Sequence, residues 1–136
     1  MEYGPPIALS DARRVVAAAE REAVENGLAV VIAVVDSAAQ LVLLERLDHA
    51  QFGSIGVAIA KAETAVRFKR PTRGFEDALA QGHVHLRLLT VPGIAAIDGG
   101  IPLLREGRIV GAIGVAGMLP QQDAQVAQAG ADAWMQ

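Results

Sequence analysis

The chain reads as a single α+β domain, an antiparallel sheet of about five strands with helices grouped on it. Helical and strand-like periodicities succeed one another as α-β-β-α-α-β-β-β-α. Neighbouring apolar runs are joined by turns too short for a parallel crossover, so they must pair as hairpins. The 136 residues suffice for one core and not for two. No linker, internal repeat or low-complexity tract divides them, so 1–136 is read as one domain.

Residues 1–7 are a loose lead-in. Ser10 is a good N-cap for a helix over 10–26, with Ala12, Val15, Val16, Ala19 and Ala23 at helical spacing and Asn26-Gly27 as its C-cap. Leu28 to Val35 is continuously apolar and valine-rich, the pattern of a strand covered on both faces. A turn at 36–40 leads to a second strand, Leu41 to Arg46. From Gln51 to Phe68 a helical stripe of Ile55, Ile59, Ala62 and Val66 precedes cationic Arg67, Lys69 and Arg70, which suit a helix C-terminus, and Pro71 stops it. Thr72 can cap a shorter helix through about Gln81, ended by Gly82. Residues 83–92 read as a connector. Short strands are expected over 93–97, 101–105 and 108–116, and Pro120 opens a last helix with Asp123 in its first turn.

Composition excludes several functions. A net charge of -3 and only 4% aromatic residues leave neither an electrostatic footprint nor stacking platforms for nucleic acid. Without cysteine there is no disulfide or thiolate chemistry. No signal peptide and no apolar run of membrane-spanning length is visible, so no membrane partner and a cytoplasmic location are expected. A 52% hydrophobic content in so short a chain points to homo-oligomerisation.

No nucleophile elbow, phosphate-binding loop or dinucleotide fingerprint occurs. The candidate site residues are dispersed. Gly99 and Gly100 form a turn whose backbone could approach a ligand, stiffened by Pro102. The strand after it holds Gly111, Ala112, Gly114 and Ala116, against which another backbone or a flat ligand can lie. Arg46 and Asp48-His49 join the second strand to the second helix. Asp48 could cap that helix or face a pocket mouth, and His49 could be an iron ligand, a general base or a surface residue. Lys61 interrupts an apolar helix. It is either a snorkelling surface lysine or a cation aimed at a ligand carboxylate. His83 and His85 have the spacing to bind one metal from one face of a strand, but no third ligand is identifiable.

Together these motifs carry a resemblance. Val34-Val-Asp36, Arg46-Leu-Asp48-His-Ala50, Ser54, Ala60-Lys61-Ala62-Glu-Thr64-Ala65, Gly99-Gly100-Ile-Pro102, Gly111-Ala-Ile-Gly114-Val and Gln122-Asp123 stand in the order found in the GlcG/HbpS-like family. The chain resembles that family from about residue 9 to 134. The resemblance implies a profilin-like α+β fold, with a five-stranded antiparallel sheet flanked by helices. It also implies dimer-based homo-oligomers, often octamers, and haem as a cofactor in some members, others being tied to catabolism. It places a cleft near the segments of Arg46 to Ala50, Lys61 to Ala65 and Gly99 to Pro102. The first helix carries no histidine, so the family resemblance offers no haem ligand from that helix, and His49, beside Asp48, is taken as the candidate iron ligand.

Two functions are therefore expected. In one, the protein holds haem or another planar anionic molecule in a cleft near Gly99-Gly100, with Arg46 and Lys61 as cations, the glycine amides as donors, and Pro102 framing the turn. In the other, it is a small catabolic isomerase, hydratase or lyase acting on an aromatic-derived or hydroxy-acid substrate. Asp48 or His49 would then be the base and Lys61 the electrostatic stabiliser.

Overall fold

The computed structural model describes residues 1–134. Helix α1 (Leu9–Glu25) leads into the hairpin β1 (Val31–Asp36) and β2 (Leu41–Arg46). Helices α2 (Ser54–Arg67) and α3 (Arg73–Gln81) follow, then a 3-10 segment over His83–Thr90. The hairpin β3 (Gly100–Arg105) and β4 (Arg108–Ala116) precedes α4 (Pro120–Trp134).

The sheet is antiparallel, in the order β2-β1-β4-β3. Among the described residues it has four strands, not five. The expected strand over 93–97 is an irregular loop. Gly93 turns it at φ 85°, and the Ala95 amide bonds to Thr64 Oγ1 (3.0 Å) instead of to a strand. Its apolar residues are half-buried or, at Ile97, exposed, so burial gives little reward for extending the sheet.

β1 is buried on both faces because helices cover both. Ile32 and Val34 pack with α1 and α4 residues Val15, Val16, Val126 and Trp134. Val31, Ala33 and Val35 point the other way, toward Ala58, Ala62 and Ala65 of α2. The small-residue strand β4 seats α2 directly: a Cβ on Gly114 would collide with the Ala58 carbonyl and the Ala62 amide. The other backbone that this strand was built to admit is thus a helix of the same chain.

Local signals explain the boundaries. Helix α1 starts before Ser10, since Asp11 and Ala12 amides already bond to the Ala8 carbonyl, and no side chain caps it. The C-cap at Asn26-Gly27 is as expected: Asn26 Nδ2 donates to the Glu22 carbonyl and Gly27 has φ 66°. Thr72 precedes α3, but its hydroxyl accepts from Gly100 N–H (2.9 Å) and not from the helix. The β3–β4 turn is the two-residue Glu106-Gly107, both at positive φ, the hairpin geometry whose twist matches the strands.

Candidate functional site

The segment from Leu47 to Gly53 carries the chain from β2 to α2, and two hollows open beside it. One, of about 350 Å³, has Glu20 and Val24 of α1, Leu28, Leu47, Asp48 and His49 in its walls. Asp48 and His49 are exposed, and His49 turns the corner at φ 71°, a conformation disfavoured for any side chain. The Arg46 guanidinium stacks over the ring of Phe52 at 5.5 Å. Burial, and then contact with the Glu20 carboxyl, push the Glu45 carboxyl above the usual carboxylate range. The rim thus mixes the carboxyls of Glu20, Glu45 and Asp48 with the Arg46 cation.

The second hollow, of about 370 Å³, lies at the start of α2 and α4 and has Ser54, Val57, Lys61, Ile97, Met118 and Asp123 in its walls. Lys61 is 1% exposed and does not snorkel. Its ammonium donates to the Val115 carbonyl (2.8 Å) and to Asp123 Oδ2 (3.1 Å). Asp123 Oδ1 accepts the Met118 amide (3.0 Å). Burial pushes the Asp123 carboxyl up, while the Lys61 charge and the Met118 and Gly117 amides pull it back. The ion pair is compensated within the fold, as a buried charge must be.

Gly99 and Gly100 lie beneath this lysine and are themselves buried. A Cβ on Gly99 would come within 2.9 Å of Lys61 Nζ, and one on Gly100 would strike the Lys61 carbonyl. Both amides are donated inside the chain, Gly99 N–H to Asp98 Oδ1 (2.9 Å) and Gly100 N–H to Thr72 Oγ1. The turn is thus a seat for α2. Pro102 is elsewhere, on the edge strand, in a groove of about 260 Å³ shared with Lys69, Arg70 and Leu104.

The sequence-derived residues therefore divide. Asp48 and His49 share one hollow and Arg46 sits beside it; Lys61 lines the second, the glycine turn is buried beneath Lys61 and lines neither, and Pro102 lines a third. His83 and His85 lie on the exposed 3-10 segment, and no cluster able to hold a metal occurs among the described residues. Asp123 and Ser54 are the site residues that sequence reasoning underrated. The signal was present: Asp123 stands on the stripe Val126, Ala127, Ala131 and Trp134 that α4 buries, where a carboxylate requires a partner.

A family model described as "Haem degrading protein HbpS-like" matches residues 7–132. The chain belongs to this HbpS-like family. It is 37% identical to protein GlcG of Escherichia coli K12 over 104 residues, 76% of each chain. A double mutant of HbpS from Streptomyces reticuli superposes with a TM-score of 0.88 at 33% identity, over 100% of this chain and 92% of that one. A PduOC:heme complex superposes at 0.85 and 27% identity, over 94% of both chains. The family accounts for the order of the motifs. No helix among the described residues is long and apolar enough to cross a membrane.

Proposed function

We propose that this chain binds haem, or another planar anionic molecule, beside the 47–53 segment, with His49 as the iron ligand. The observation that carries the reading is an exposed imidazole at the edge of an open hollow with apolar Val24, Leu28 and Leu47 in its walls. An accessible ring nitrogen beside apolar surface is the donor set that haem iron requires. The Arg46 guanidinium is the cation at hand for a carboxylate of the ligand, and exposed Phe52 beneath it offers a flat apolar surface. Likeness to HbpS and to a haem-complexed PduOC supports the same ligand class. Haem, when bound, would supply the iron and its redox and ligand-exchange chemistry, and His49 would hold it. The chain's own contribution is to present His49 and cover one edge of the macrocycle, since the hollow of about 350 Å³ encloses only part of it.

Hemin titration followed at the Soret band tests this reading. A saturable shift is expected, lost in His49→Ala and retained in His83→Ala and His85→Ala. A titration curve indifferent to His49→Ala would overturn it.

A further inference from the structure

We propose that the Lys61 hollow is a second and separate binding site, for a compact molecule with one carboxylate on an apolar body. This goes beyond the haem reading and does not depend on it. An ammonium has three donors, and the Lys61 ammonium has two acceptors among the described residues, Val115 O and Asp123 Oδ2. One N–H is left over on a group 99% removed from solvent. Ser54 is also buried, at 7% exposure, and its hydroxyl makes no hydrogen bond among the described residues. Both side chains help to line the same hollow. A buried donor without an acceptor costs free energy; an oxygen entering the hollow relieves the Lys61 N–H and can take a second bond from the Ser54 hydroxyl.

Charge then selects the ligand. Lys61 and Asp123 cancel, so neither is available to neutralise a dianion. What remains is the positive end of two helix dipoles: Ser54 opens α2, Pro120 opens α4, and both stand at the hollow. That field suits a single negative charge. Val57, Ile97 and Met118 supply an apolar wall for the rest of the molecule. A volume of about 370 Å³ admits on the order of a dozen water-sized groups at roughly 30 Å³ each, enough for one small ring.

The test is an amide-NMR titration of the full chain with benzoate, neutral benzamide and dianionic phthalate. Benzoate is expected to shift Gly53, Ser54, Val57, Gly117 and Met118 saturably, with benzamide and phthalate at least several-fold weaker. Ser54→Ala should weaken benzoate about fivefold, the worth of one net hydrogen bond, and Val57→Trp, which fills the hollow, should abolish it. The double variant Lys61→Met/Asp123→Leu avoids stranding a charge and should weaken benzoate and benzamide alike, keeping the preference for benzoate that the helix dipoles set. If that variant fails to fold, Ser54→Ala and Val57→Trp still decide. No shifts at these residues, or equal shifts from all three probes, would overturn the proposal. No hemin enters the titration, so a failure of haem binding leaves its result standing.

Discussion

Two hollows flank one loop, and they are built on opposite principles. Around Lys61, charge is buried and each carboxylate oxygen of Asp123 is answered inside the chain. Around His49, polar groups are left at the surface: Asp48 and His49 are exposed, and the half-buried Glu45 carboxyl meets that of Glu20 and not a cation. A buried pair is held by the fold and cannot be edited without cost. An exposed rim contributes little to stability and is free to change its chemistry. The difference teaches that the structural part, at Lys61 and Asp123, and the adaptable part, at His49, lie on either side of one loop.

The sharpest way to break the comparison is to delete one carboxylate from each hollow. Asp123→Ala leaves the Lys61 ammonium buried and unpaired, and should cost about 3–5 kcal/mol in denaturant unfolding. Asp48→Ala should stay within about 0.5 kcal/mol, as exposed substitutions do. Equal losses would erase the distinction.

A smaller effect tests how Lys61 is held in place. Gly114→Ala puts a methyl group against the Ala58 carbonyl, and should cost about 1–3 kcal/mol by overpacking. Gly53→Ala, at the open start of α2 where a Cβ meets nothing, should be near neutral in the same unfolding experiment. If the two match, α2 is not seated on β4 by the glycine.

The smallest effect concerns pH at Glu45. The Glu45 carboxyl, raised by burial and by Glu20, binds protons more readily in the folded chain than in the unfolded one. Its stabilising contribution is therefore full below the ordinary carboxylate pKa and is lost as pH rises through the raised folded value. Glu45→Gln removes that loss. Its melting temperature should vary less than that of the parent between about pH 4 and 6, and should be slightly higher at neutral pH. An unchanged pH profile would mean that the fold does not raise the Glu45 carboxyl.

Most of the fold was legible in the sequence because its signals are local. The spacing of Val15, Val16, Ala19 and Ala23, the all-apolar β1, and the Glu106-Gly107 turn each declare an element over a few residues. The absent fifth strand was illegible because a side chain decides it: Thr64 captures the Ala95 amide from 31 positions away. The site was half legible. Lys61 stood out as a charge on an apolar helix, but its partner is 62 residues distant, and spacing carries no information at that range. Gly114 was rightly read as a place where another backbone lies close, whereas Gly99 and Gly100 were read as approaching a ligand and instead lie against Lys61, with their amides bonded to Asp98 and Thr72. What approaches is helix α2, whose backbone lies against Gly100 and Gly114.

That one loop separates two independent sites is tested most directly by titrating hemin into the protein with and without saturating benzoate and following the Soret band. Separate hollows require the same midpoint in both titrations. A midpoint displaced in proportion to benzoate would place both ligands in a single cavity and contradict the account.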